Sequence, residues 1–358
     1  MNGIDTSKVF LIAEAGVNHN GNFKLAKRLV DVAKKAGVDA VKFQTFKAKN
    51  IVTLDAKQAK YQTENIGKKE SQYEMLKRLE LSYHDFERLK KYCDERGIIF
   101  LSTPHSSKED IDFIAKICPA IKVGSGDLTN LPILEYIAKK KLPIILSTGM
   151  ATLKEVKEAV KTILLINKKI ILLHCTTNYP TLLKDVNLKA MITMRKGFNL
   201  ATGYSDHTKG IKVSLAAVAL GACAIEKHFT LDRNFQGPDH KASLEPGELK
   251  EMIEAIRNIE KRISKGESSE KIIKGLNVPE VLGNGIKKPN PSELEVAKVL
   301  RKSIVAAKNI KKGTKIREDM MAIKRPGTGI KPEYLDKILG KTAKQDIRKD
   351  ELITRNKI

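Results

Sequence analysis

Between residues 9 and 229 the chain repeats one theme: a short run dense in Val, Ile, Leu, Ala and Thr, then a longer stretch with apolar residues at helical spacing. The runs fall at 9–15, 40–44, 98–103, 120–124, 143–148, 170–176, 199–204 and 223–229. Segments such as 23–36, 83–96, 154–166 and 212–222 carry the spacing of an amphipathic helix. Regular alternation of this kind argues for parallel βα units, because a parallel neighbour is reached only through a crossover, usually a helix. Eight such units predict a (β/α)8 TIM barrel, with helices outside and side chains filling the centre.

A barrel of about 250 residues leaves part of a 358-residue chain over. The expected organisation is a barrel over 1–282, a linker over 283–292 and a small β-rich domain over 293–358. After a last barrel helix at 246–264, residues 266–291 are rich in Gly, Ser and Lys, with Pro289 and Pro291, which is linker composition. Within the last domain, residues 309–316 are loosely echoed by 346–353, each a turn signal before a strand. The connection from 46 to about 81 is too long for a simple βα loop, and it reads as a helical excursion over the barrel mouth.

The formal charge is +24, and residues 283–358 alone hold 20 Lys and Arg against 9 Asp and Glu. Such a balance draws in anions: nucleic acid, an acidic membrane or an anionic small substrate. Aromatic residues make up 5% and Trp is absent, so base-stacking platforms are scarce and nucleic acid is not expected. Four cysteines, at 93, 118, 175 and 223, lack metal or redox spacing and read as reduced residues of a cytoplasmic protein. The first 17 residues read as a first strand without a cleavage-site pattern, and uncharged stretches such as 213–225 are too short to span a bilayer. No membrane association is expected.

Catalytic groups of such barrels sit at the carboxyl ends of the strands. The candidate strand ends carry Glu14 with Asn18 and His19, Lys42 and Gln44, Ser102 and Thr103, Lys122 with Ser125, Ser147 and Thr148, Asn178 and Tyr179, Ser205 to His207, and Glu226 with His228. Either histidine alone is as well explained by packing, but His207 and His228 end successive strands. Glu226 and His228 share a face of theirs, while Lys227 points the other way. Two neutral imidazoles make an open, labile site, suited to exchangeable Mn2+ or Mg2+ that polarises a carbonyl. Lys42 and Lys122, each bracketed by apolar residues, with Ser and Thr hydroxyls nearby, suit a phosphate or carboxylate.

Several motifs in order resemble the sialic acid (N-acetylneuraminate) synthase family. They are Ala13 to His19, Val41 to Gln44, Val123 to Asp127, Ser147 to Met150, His174 to Pro180, Gly203 to Thr208, Ile225 to Arg233 and Gly237 to His240. The stretch Lys324 to Ile330 resembles that family's C-terminal antifreeze-like (SAF) domain. The resemblance implies condensation of phosphoenolpyruvate with an N-acetylated aminosugar such as N-acetylmannosamine, with loss of phosphate. It implies that His207 and His228 hold Mn2+ or Mg2+, and that Lys42, Lys122, Thr103, Ser125 and Ser147 bind phosphoenolpyruvate. Glu14 and Glu226 become candidates for proton transfer or for orienting water; Gln44, Tyr179, Asp239 and Ser205 become substrate contacts. Either Thr177 or Asn178 would meet the N-acetyl group, and Arg325 would arrive from the partner of a homodimer with exchanged SAF domains.

The resemblance leaves the sugar open, because related enzymes also take 2,4-diacetamido sugars leading to legionaminic or pseudaminic acid. Thr181-Leu182 stands where the family more usually has Thr-Pro, which bears on the sugar side of the site. Two rivals follow from the residues themselves. One is a Schiff-base pyruvate aldolase using Lys122 or Lys42 without metal. The other is a basic glycan- or nucleic-acid-binding module carried on an inactive barrel.

Overall fold

The computed structural model describes residues 8–105 and 107–358. Eight strands, β1 (Phe10–Gly16), β2 (Ala40–Thr45), β3 (Ile99–Pro104), β4 (Ile121–Val123), β5 (Ile144–Ser147), β6 (Ile170–His174), β7 (Thr202–Asp206) and β8 (Ala224–His228), form one sheet. Its order is β3-β2-β1-β8-β7-β6-β5-β4, and each hydrogen-bonded pair is parallel. The first and last strands pair with each other, and β3 lies beside β4, so the sheet curls into a nearly closed barrel. The predicted fold is therefore the one observed.

Strand alternation decides what fills the barrel. Leu11, Val41, Phe100, Ile144, Leu172 and Ile225 face outward into the layer beneath the helices. Their neighbours Phe10, Ile12, Leu101, Ile145, Ile171 and Leu173 meet at the centre. Two residues further along several of those strands, the same inward face changes character. Ile12 is followed by Glu14, Ala40 by Lys42, Leu101 by Thr103, Ala120 by Lys122, Ile145 by Ser147 and Ala224 by Glu226. An apolar plug thus supports a polar layer at the carboxyl ends, and burial on both sides of the wall explains why all residues of β1 are buried.

The excursion after β2 folds as three short helices, Ala48–Ile51, Lys60–Ile66 and Gln72–Arg78. Phe46, Ile51, Met75, Leu76 and Leu79 pack with Val17 in a small core of their own above the barrel mouth. The segment 266–291 is more structured than its composition suggests. Ser268 caps a helix, Ser269–Leu276, whose Ile272 and Ile273 join Val278 and Val281 in the core beneath the outer helices. Four buried branched residues outweigh the Gly, Ser and Lys between them.

A helix at Pro291–Leu300 leads into strands β9 (Ser303–Ala306) and β10 (Met321–Lys324), which pair antiparallel. The two echoing segments bridge each other at Ile310 and Ile347, around a core containing Ile304, Ile316, Ile338 and Ile353. This domain lies against the mouth of the barrel. Glu293 accepts from the backbone N–H groups of Met150 and Thr177, and Arg301 holds Glu155.

Candidate active site

The polar layer closes around two buried ammonium groups. Lys42 Nζ lies 2.6 Å from Glu14 and 3.7 Å from Glu226, and donates to Thr103 Oγ1 at 3.1 Å. Lys122 Nζ lies 3.5 Å from Glu226 and donates to Ser147 Oγ at 2.8 Å. The register of β1 against β2 sets Glu14 opposite Lys42, so the first pair follows directly from strand alignment. Gly16 takes φ +53 where that alignment slips, and a Cβ there would stand 3.2 Å from Gln44 Nε2.

The two carboxyls are driven apart. Burial, with the charge of Glu226 behind it, raises Glu14 above the usual carboxyl range, against the pull of Lys42. For Glu226 burial acts in the same sense, but Lys122 and Lys42 overcome it and hold the group below that range. Ser205 Oγ also donates to Glu226 at 3.1 Å. Glu226 is thereby set as a carboxylate and Glu14 as the group closer to protonation.

His207 directly follows β7 and His228 ends β8, with ring centroids 5.6 Å apart. Burial lowers His207 to about 4, and burial followed by His207 lowers His228 well below the usual imidazole range, so both rings are neutral at physiological pH. His207 Nδ1 lies 2.6 Å from the carbonyl of Thr176 and must carry its proton toward it, which leaves Nε2 as the lone-pair nitrogen, 3.3 Å from Ser205 Oγ. His228 Nδ1 is buried without a hydrogen-bond partner among the described residues. Behind them, Lys227 turns away as alternation requires and pairs with Asp206 at 2.9 Å, tying the two strand ends together.

These donors fit a divalent ion. Among the described residues no three His, Cys, Asp or Glu side chains are grouped to hold a metal, so the remaining coordination would have to come from water or substrate. Asp239 stands 3.9 Å from His228 Nδ1, and burial, then Glu14, push it up to about 7.

Of the residues that the resemblance assigned to metal, phosphoenolpyruvate, proton transfer or sugar, all line this one cavity except Asn178; Asn18, His19, Ser102, Thr148 and Asp206 of the strand ends do not. Asn178 donates to Ser292 Oγ at 2.6 Å, and it is Thr177 that lines the cavity, its buried hydroxyl without a hydrogen-bond partner among the described residues. Thr177→Val is expected to raise the KM for the sugar about fivefold, since one buried hydrogen bond is worth about 1 kcal/mol. Asn178→Ala should change it less than about threefold by the same measure, with initial-rate kinetics as the check.

Arg325 lines this cavity within the single chain described. Its N–H donates to Ile51 O at 2.8 Å and its carbonyl accepts from Thr53, so it is laid beside the excursion like a short extra strand. Its guanidinium touches Gln72 at 3.4 Å, and Nε has no hydrogen-bond partner among the described residues. Residues not foreseen are Tyr61 and Gln62 on the excursion and His105 just past β3, which meets Gln44 at 3.2 Å. Tyr61 stacks near Tyr179, whose ring lies 4.2 Å from that of His207.

Profile comparison matches residues 29–268 to the NeuB family and residues 301–358 to the SAF domain. The chain belongs to the NeuB family. N,N'-diacetyllegionaminic acid synthase of Campylobacter jejuni is 47% identical over 97% of this chain and 99% of its own length. The Legionella pneumophila protein of that name is 45% identical over 92% and 89%. N-acetylneuraminate-9-phosphate synthase of Homo sapiens stands at 34% (96% and 91%), and a Campylobacter jejuni pseudaminic acid synthase at 33% (95% and 94%). The crystal structure of spore coat polysaccharide biosynthesis protein spsE from Bacillus subtilis superposes with TM-score 0.82 at 34% identity, covering 98% of this chain and 95% of that one. This NeuB-family chain is thus a phosphoenolpyruvate-dependent condensing enzyme of the sialic acid type. That finding removes the inactive-barrel rival.

Proposed function

We propose that this enzyme condenses phosphoenolpyruvate with a 2,4-diacetamido sugar to give a product of the N,N'-diacetyllegionaminic acid type. The observation that carries the chemistry is the convergence of Lys42, Lys122, Thr103, Ser125 and Ser147 beside two neutral histidines in one cavity. The sugar rests on the step in identity from 47% and 45% for the two legionaminic acid synthases to 34% for the human relative. It is also supported by the upper wall, where Val17, Phe46, Ile51, Met75, Leu76 and Leu79 suit acetamido and deoxy carbons. N-acetylneuraminate synthesis, the first expectation from the sequence, ranks behind it.

Lys42 and Lys122 hold the phosphate and carboxylate of phosphoenolpyruvate, with the Thr103, Ser125 and Ser147 hydroxyls completing the cradle. His207 and His228 would hold Mn2+ or Mg2+, which supplies Lewis-acid polarisation of the sugar aldehyde when bound. C3 of phosphoenolpyruvate attacks the aldehyde carbon as the C3 π pair forms the new bond. Water adds to the cation left at C2, aligned by Glu226 as a carboxylate. Glu14 is the nearer proton source for the new hydroxyl. The tetrahedral centre then expels phosphate by C–O cleavage, so the atoms of phosphoenolpyruvate, aldehyde and water all appear in sugar acid and phosphate. Tyr179, Gln44, Asp239 and Thr177 surround the sugar, and Arg325 closes the cavity over it.

We place the enzyme in the cytoplasm as a homodimer with exchanged SAF domains. Its four cysteines are free, and no helix of the described residues is long and apolar enough to cross a membrane. Residues 283–290 carry no helix or strand, and exchange through them would rebuild the same Arg325 contacts between chains. The deciding assay offers phosphoenolpyruvate, Mn2+ and a panel of 2,4-diacetamido sugars, N-acetylmannosamine and its 6-phosphate, reading phosphate release and product mass. The expected result is turnover of a 2,4-diacetamido sugar at least about tenfold above the others in kcat/KM, equal to about 1.4 kcal/mol of discrimination. Preference for N-acetylmannosamine would replace the substrate reading, and no phosphate from any pairing would sink the reaction itself.

A further inference from the structure

Lys302 is a buried ammonium group that the reaction does not use. It lies 2% exposed at the start of β9, donates to the Ile51 carbonyl at 3.4 Å and stands 3.9 Å from Asp127 Oδ1. Those contacts are long for a charge taken out of water. Burial depresses the amine to about 7 against the pull of Asp127; Asp110 acts with Asp127, while Arg325 and Lys324 add to the depression. An apolar side chain of similar length would pack there at lower cost. A polar amine kept in such a place calls for a positional reason.

The reason is visible in what its two partners touch. The Ile51 carbonyl that Lys302 meets is the same one that accepts the Arg325 N–H at 2.8 Å, and Thr53 N–H closes the pair onto the Arg325 carbonyl. Asp127 ends the 3-10 turn Ser125–Asp127, directly after β4, whose Ser125 lines the cavity. The same turn meets the C-terminal domain so closely that a Cβ on Gly126 would fall 2.8 Å from the Leu300 carbonyl. Asp127 is also the carboxylate that most favours the charged form of Arg325.

We propose that Lys302 is a positioning residue for Arg325: held between the Ile51 carbonyl and Asp127, it clamps the C-terminal domain to the barrel in the one register that points Arg325 into the cavity. The clamp joins a residue of the domain to residues of the barrel, so it operates whether one chain or two supply them. Its kinetic consequence rests on the proposed condensation, whereas its effect on docking does not.

The test therefore has two readouts. In the assay, Lys302→Met is expected to lower kcat/KM by on the order of 10- to 100-fold, as misplacement of a positioned group does. Lys302→Arg should recover most of that loss, and Asp127→Asn should repeat part of it from the other side of the clamp. Added to Arg325→Ala, Lys302→Met should cost less than about twofold more, because its effect passes through Arg325. In deuterium exchange, the Thr53 and Arg325 amides should exchange on the order of tenfold faster in Lys302→Met and at the native rate in Lys302→Arg. Native exchange in Lys302→Met, or its full kinetic loss repeated on the Arg325→Ala background, overturns the proposal. Absence of turnover in the unmodified enzyme would overturn the condensation reading instead, and exchange would still decide the clamp.

Discussion

Exhaustive chelation, or His207→Ala, is expected to lower the condensation rate by about three orders of magnitude, the scale of several kcal/mol of Lewis-acid stabilisation. The expectation rests on the state of the two rings. Both are neutral, and the Thr176 carbonyl assigns the His207 proton to Nδ1, so a lone pair is available without deprotonating anything at physiological pH. Because His207 is lowered to about 4, protons compete for it only as the pH falls toward that value, well below the range of an ordinary imidazole. Added Mn2+ should restore the chelated enzyme and leave His207→Ala inactive, with thermal melting to show that the variant is folded. Full activity after chelation, together with a borohydride-trapped pyruvate adduct on Lys122 or Lys42, would instead establish the Schiff-base route. In the structure both amines lie against carboxylates and hydroxyls in the floor of the cavity.

What could be read from the sequence follows strand parity. On β1, β2, β4 and β8 the inward positions run apolar then charged, so Glu14, Lys42, Lys122 and Glu226 could be placed on one layer before any coordinates. Parity stops where a strand stops. Past His174 the chain no longer alternates, and nothing in residues 175–178 tells which of Thr177 and Asn178 turns inward; the packing of Ser292 decides it. The excursion has the same difficulty. Its helices are legible as a lid, but Tyr61 and Gln62 enter the site because the small core around Met75 and Phe46 orients them, a tertiary fact with no local signal. His105 lies one residue beyond β3, where strand-end reasoning ended at Pro104. The 266–291 segment misleads for the opposite reason: its composition is that of a tether, yet Ile272, Ile273, Val278 and Val281 find a core to join.

Lys42→Met should both destabilise the protein and abolish productive binding of phosphoenolpyruvate. Lys42 compensates two carboxylates that are almost wholly buried, and removing one partner of such a set costs about 3–5 kcal/mol. Denaturant unfolding of the unliganded protein should show that loss near neutral pH. Glu14 would then keep only the amide of Gln44, at 3.0 Å, while Glu226 would retain Lys122 and Ser205. Glu14, already raised by burial, would rise further. A carboxyl whose folded pKa lies above its unfolded value favours folding below the unfolded value and loses that contribution as the pH climbs through the folded one. The variant should accordingly be closest to the native enzyme in stability at acid pH and fall behind as the pH climbs through the raised Glu14 pKa. Adding Glu14→Gln should return most of the stability at neutral pH without returning phosphoenolpyruvate affinity, which needs the ammonium itself. If Lys42→Met were instead as stable as the native enzyme at neutral pH, Glu14 would already be protonated there. Lys42, Lys122 and Glu226 would then leave this four-residue set with a net positive charge, poised for an anion before any substrate arrives.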